Sequence, residues 1–288
     1  MSALLSPTTP AHAEHSASLR EQREQARGRR LRRERQRRYL LVSLQVGIVV
    51  LLLMLWEWAA HTGLISRFLF ASPSMVWDVL MQRWSSGELL NDVRVTTLET
   101  LIGFAIGAFG GAVLGLLLWY SRFIAELTAP FIAAIGSIPV LAIAPITIIW
   151  FGTEMLSKVV IVAFSCVVVS LTTAYQGAQR TDPDLLNLMR SFNAPRRAIF
   201  FKLVVPSAMA WVIAGLRLNA GFALVGAIVG EYISSEAGVG HMILLGSSNF
   251  GINIVLAGIA VVMVMTLVFV KLVGLLERYA LSWERGER

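Results

Sequence analysis

Charge is scarce in this chain. Only 15% of its 288 residues are Asp, Glu, Lys or Arg, against 56% hydrophobic. A single soluble core could not hide that much apolar surface, so a soluble globular domain is excluded and an integral membrane protein is expected. Cysteine is nearly missing. Cys166 stands alone in an apolar run, which excludes a disulfide framework and a cysteine-based metal cluster. The four histidines, His12, His15, His61 and His241, are scattered, and no G-x-x-x-x-G-K-[ST] or H-E-x-x-H pattern occurs. ATP binding by the usual phosphate loop and zinc hydrolysis are therefore not expected of this chain, and no metal or other cofactor is expected in it. The ionisable residues placed at depth are Arg217, Glu57, Glu99 and Lys271, a set too sparse for intramembrane proteolysis. An enzyme is not expected.

What charge there is lies to one side. The formal net charge is +7 and the pI near 10.2, yet residues 1–40 alone hold ten arginines against four glutamates. The body is close to neutral, which argues against a nucleic-acid-binding face. Residues 1–38 read as a disordered cytoplasmic arm that touches anionic lipid headgroups and sets orientation. The arm is too long and polar for a secretory signal, and no small-residue cleavage site follows the apolar run, so the first span is expected to be retained.

Runs free of charge occur at 39–56, 100–121, 127–153, 159–179, 203–216, 218–230 and 237–270. A helical span needs about 20 apolar residues, so an all-α polytopic protein with six transmembrane helices is expected, near 40–59, 97–120, 127–151, 158–175, 206–230 and 252–276. Pro139 and Pro145 kink the third or split it. The domains follow: the arm 1–38, a first helix 39–60, an outer loop 61–96 with short helices, a core 97–276 and a tail 277–288. With the arm inside, loop 176–205 is also inside and carries Arg180, Arg190, Arg196, Arg197 and Lys202. The outer loop 231–251 carries Glu231 and Glu236 and no basic residue, the asymmetry that the positive-inside rule expects. Both termini are then cytoplasmic.

Four elements stand out. Gly103, Gly107, Gly111 and Gly115 recur every four residues on the second span, a small-residue face that packs either inside the subunit or against a second one. The inner loop 181–205 opens with Asp182 as N-cap and Pro183 at the first helical position. Leu185, Leu186, Leu188, Met189 and Phe192 form its apolar stripe, with Asp184, Asn187, Arg190 and Ser191 polar. Asn193 suits the left-handed turn before Ala194 and Pro195, so two short helices are expected up to Pro206. This is either a helix lying on the membrane or a knob for a partner's groove. Arg217 sits near the midplane, either bonded within the protein, with Glu99 a candidate acid, or lining a path for an anion. Gly238-Val-Gly240 and the following Ser247-Ser-Asn249 are too small and polar for a lipid-facing helix and mark either an outer gate or docking loop or a mere connector.

On these residues the chain resembles the inner-membrane permease subunits of bacterial ABC importers, in their nitrate, sulfonate and taurine branch. The similarity covers nearly all of 56–284 and runs through Ala71-Ser-Pro-Ser, Ile138 to Gly152, the loop ending at Val205-Pro206, Ala214-Gly-Leu-Arg217, Glu231 and Gly238-Val-Gly240. The resemblance implies the type I permease fold, a dimer with a second permease copy, cytoplasmic ABC ATPase subunits that hold ATP and Mg, a periplasmic solute-binding protein and an inner-membrane location. The implied function is import of a small anionic or aromatic solute. At the positions of the family's Glu-Ala-Ala…Gly coupling motif this chain has Asn187, Leu188, Met189 and Asn193, all departures. A secondary transporter or channel would need intramembrane acids and inverted repeats, and no repeat of 39–120 is found in 206–276. A membrane anchor or assembly protein is the other alternative.

Overall fold

The computed structural model describes residues 36–37 and 39–280, so the arm 1–38 and the tail 277–288 lie almost wholly outside the described residues. The chain divides into two units, 1–65 and 66–288. The first contributes α1, Tyr39–His61, an apolar helix of 23 residues. Near its end Glu57 and His61 lie one turn apart and pair at 2.9 Å.

In the second unit α2 (Arg67–Phe70) and α3 (Pro73–Ser85) come first, α3 opened by Ser72, whose hydroxyl accepts from the Met75 N–H. The outer loop expected to reach residue 96 ends at Gly87, in the left-handed region at φ 81°, because α4 (Glu88–Phe104) starts there. The helix that holds the expected span 97–120 thus begins at residue 88. Counting charge-free residues finds only the stretch that hydrocarbon tolerates, whereas helical hydrogen bonding continues through the polar residues beyond it.

A π turn at Ala105–Phe109 joins α4 to α5 (Gly110–Leu117), and the whole rod runs Glu88–Tyr120. α6 (Arg122–Gly136) and α7 (Val140–Phe151) follow, bent by 92°. Pro139 stands at the break with extended backbone, ψ 131°, while Pro145 lies inside α7 and Pro130 inside α6. Pro139 thus caps the start of α7 at the break and Pro145 breaks nothing: an internal proline removes one backbone bond, which a well-packed helix can absorb. α8 (Met155–Gln179) comes next, then α9 (Pro183–Ser191) and α10 (Arg196–Ile199). A second π turn, Phe200–Val204, leads without interruption into α11 (Val205–Ile233). Pro206 is therefore within a 38-residue rod, Arg196–Ile233, and does not end the loop as expected. The wide π turn ahead of it relaxes the backbone that the proline ring would otherwise crowd. α12 (Val239–Ser248) and α13 (Ile252–Ala280) complete an architecture without strands among the described residues.

The glycine face of α4–α5 is filled by α8 of the same chain. A Cβ on Gly107 would stand 2.3 Å from the Ala163 carbonyl oxygen, on Gly111 2.3 Å from that of Val167, and on Gly115 2.2 Å from that of Leu171; on Gly103 it would meet Val162 at 2.4 Å. A strict spacing of four drifts around an α-helix of 3.6 residues per turn. The π turn at 105–109 is wider and takes up that drift, which keeps all four glycines on one neighbour. Numbers rise together along the two rods, so α4–α5 and α8 run parallel, and the bent pair α6–α7 must return the chain from one end to the other. α8 also meets α11, antiparallel, Gly177 against Trp211, Gly215 against Thr173 and Gly226 against Ser165.

The interior is small and the exterior large. Ala108, Cys166, Ala220, Ala223 and Ala227 are fully buried where these rods meet α13, with Phe269 set edge-on to Phe104 at 5.3 Å. Val113, Leu114, Val225, Met263 and Leu267 face outward. That inversion suits a chain whose rods are held together in lipid by close packing.

Candidate functional site

The rods carry a distinct structure at each end. At one end Asp182 Oδ1 accepts from the Asp184 N–H at 2.8 Å and Pro183 starts α9. The helix closes with Asn193 at φ 50°, its N–H donating to the Arg190 carbonyl at 2.9 Å, and the Ala194 N–H donating to the Met189 carbonyl at 3.1 Å. This paired closure needs a residue that tolerates the left-handed region, which Asn does. The apolar stripe divides into two faces. Leu186, Met189 and Ala194 pack inward on Ile199, Phe200, Val204 and Ala208, while Leu185 at 44%, Leu188 at 52% and Phe192 at 77% exposure point away from the chain. Asp184, Asn187 and Arg190 are exposed beside them.

At the other end three consecutive N–H groups at the start of α12 are each accepted by a side chain from α4 or α11. Gly238 N–H donates to Asp92 Oδ1 at 3.0 Å, Val239 N–H to Thr96 Oγ1 at 2.9 Å and Gly240 N–H to Glu231 Oε2 at 2.6 Å. The Thr96 hydroxyl donates in turn to Glu231 Oε1 at 2.6 Å. A helix N-terminus has unpaired N–H groups and favours negative charge, so the clasp joins three elements by matched chemistry. Arg83 covers Asp92 at 3.3 Å. Glycine is required at both hinge positions: Gly238 has φ 113°, and a Cβ there or on Gly240 would meet Glu231 at 2.4 and 2.7 Å. Gly238 and Gly240 are thus buried parts of the clasp.

Beside the clasp a cleft of about 480 Å³ opens between α4, the start of α8 and the turn 233–237. Glu99, 2% exposed, forms part of its lining, with Glu154 and Glu236 at exposed positions. Its lysine, Lys158, is buried and donates to the carbonyls of Thr153 and, at 3.3 Å, Glu154. Glu99 contacts Glu231 and feels the charge of Lys158. Arg217 is exposed on α11, about 21 Å of helix from Glu231.

Sequence reasoning missed Asp92, Thr96 and Lys158. A signal existed: Asp92, Thr96, Glu99 and Gly103 follow one another at three- and four-residue spacing on one helical face. Placing 61–96 in a loop hid it.

The fold and its two ends describe a membrane permease, and the relatives agree. Residues 103–280 match the family described as binding-protein-dependent transport system inner membrane component. A Haemophilus influenzae protein described as a probable ABC transporter permease is 31% identical over 76% of this chain and 89% of its own length. A Bacillus subtilis protein assigned as an aliphatic sulfonates transport permease, SsuC, is 27% identical over 82% of this chain and 85% of its own. The riboflavin transport system permease RibX of Chloroflexus aurantiacus is 29% identical over 82% and 88%. A solved amino acid ABC transporter chain superposes with a TM-score of 0.56 at 19% identity, covering 69% of this chain and 97% of its own, and shows the same fold. The chain belongs to the binding-protein-dependent permease family: it is a polytopic inner-membrane subunit of an ABC importer and is not itself the ATPase.

Proposed function

We propose that the chain, as a homodimer, carries a small anionic or aromatic organic solute of the nitrate, sulfonate and taurine class from periplasm to cytoplasm. Two ATPase subunits, which hold the ATP and Mg, dock on α9, and a solute-binding protein docks at the α12 end. The observation that carries this reading is the two-faced α9: its inner face is seated on the chain's own core, while Leu185, Leu188 and Phe192 stand outward as an unfilled apolar row. Such a row fits a groove in a partner, with Arg190 and Asp184 at its polar edge. Arg180, Arg190, Arg196, Arg197 and Lys202 gather at that end and Glu231 and Glu236 at the other, which supports a cytoplasmic α9 and cytoplasmic termini. Midway along α11, Arg217 lies on the outward surface.

The test reconstitutes the chain in proteoliposomes with its cognate ATPase and binding protein. ATP-dependent accumulation of a small sulfonate of this class, taurine first among them, is expected. Accumulation that persists without the ATPase would replace this reading with a secondary transporter.

A further inference from the structure

We propose that the cleft between α4, the start of α8 and the turn 233–237 takes the protonated amine of a solute. The inference rests on the importer reading and narrows its substrate toward solutes that carry an ammonium group, zwitterions among them. It follows from an imbalance between donors and acceptors. Glu99 is 2% exposed, and its Oε2 has no hydrogen-bond partner. The acid beside it, Glu231, already has both oxygens occupied, by the Thr96 hydroxyl and the Gly240 N–H. A proton shared between the two acids joins Glu99 to Glu231 but leaves Glu99 Oε2 without a donor.

The lining does not supply one. Lys158 Nζ is turned to the carbonyls of Thr153 and Glu154, and the other ionisable residues of the cleft, Glu154 and Glu236, are acids at exposed positions. An ammonium brings three donors and a compact charge to a carboxyl group that lines the cleft. A simple anion entering the same cleft would pass two carboxylates and meet a third. At about 480 Å³ the space admits a small organic cation with its body against Val95, Leu98 and Leu244.

The experiment uses the full-length protein purified in detergent, without the ATPase, and ligand-observed NMR titration with n-butylammonium, butyrate and n-butanol. Butylammonium is expected to bind about tenfold or more tightly than the other two, and Glu99→Gln, which keeps shape and loses charge, to weaken it about tenfold. Equal binding of the three probes, or unchanged affinity in a folded Glu99→Gln protein, overturns the proposal. Should Glu99→Gln fail to fold, the exposed pair Glu154→Gln and Glu236→Gln answers the same question: weaker butylammonium binding supports the site and unchanged binding overturns it. Since this titration needs no ATP, its outcome is separate from that of the uptake assay.

Discussion

Gly110 and Gly111 are neighbours in sequence with opposite surroundings. A Cβ on Gly111 would meet the Val167 carbonyl at 2.3 Å, whereas one on Gly110 meets nothing within 4 Å. Backbone cannot yield as a side-chain tip can, so Gly111→Ala is expected to lower stability by about 1–3 kcal/mol, seen as an earlier thermal unfolding in detergent. Gly110→Ala should be neutral or slightly stabilising. Loss of stability at both positions would mean that the two faces are equally crowded, against the placement of α8. Thr96 invites a similar contrast. Thr96→Val keeps the shape but strips Glu231 Oε1 of its donor and the Val239 N–H of its acceptor, each buried orphan costing about 1–3 kcal/mol. Hydrogen exchange at Val239 and Gly240 should quicken in Thr96→Val and stay slow in Thr96→Ser. The glycine stripe was legible in the sequence as a close-packing face, but which helix filled it was not, because spacing says nothing about the partner's position. The clasp was less legible still, since Asp92 and Thr96 on α4 meet a third acceptor, Glu231, and their donors at 238–240 from far along the chain.

At the scale of elements, α9 shows how far periodicity reaches. Its cap, its proline and its left-handed Asn193 were all readable from residue chemistry, yet the stripe of five apolar residues gave no hint that Leu186 and Met189 turn inward while Leu185, Leu188 and Phe192 turn out. A charge on the outer row must be buried when a partner closes over it, at a cost of at least about 2 kcal/mol or a roughly thirtyfold loss of affinity. Leu188→Asp should therefore leave thermal stability near that of the parent while ending co-purification with the ATPase and ATP-driven uptake. Met189→Asp should instead unseat the helix itself and lower stability. Retention of the ATPase by Leu188→Asp would leave α9 as a helix of the membrane surface. The π turns at 105–109 and 200–204 were not legible: nothing in residue type marks them, and they arise where glycine register or Pro206 has to be reconciled with a continuous rod.

At the scale of the molecule, hydropathy identified each rod among the described residues that is long and apolar enough to cross, because apolar length is a direct physical requirement of the bilayer. It found 252–276 and nearly all of 40–59, but fell short on the rods Glu88–Tyr120, Met155–Gln179 and Arg196–Ile233. The parallel run of α4–α5 beside α8 adds what hydropathy could not, that α6–α7 carries the chain back across in spite of its 92° bend. In a Cys166→Ala background, a cysteine at Asn249 should react with a membrane-impermeant thiol reagent in intact cells and one at Ser191 should not. Both positions are exposed and lie at opposite ends; the reverse pattern would invert the orientation, and labelling of both or neither would break the crossing count.

The rod from Arg196 to Ile233 also has a mechanical consequence. From the π turn to its far end α11 measures about 44 Å, at about 1.5 Å for each of its 29 residues. The turn is a local softening next to α9, and the length beyond it is a lever arm. A tilt of only about 5° at the turn sweeps the opposite tip through roughly 4 Å, more than the 2.6 Å that separates Gly240 N from Glu231 Oε2. A motion too small to disturb the packing around α9 is thus large enough, at full leverage, to unlatch α12.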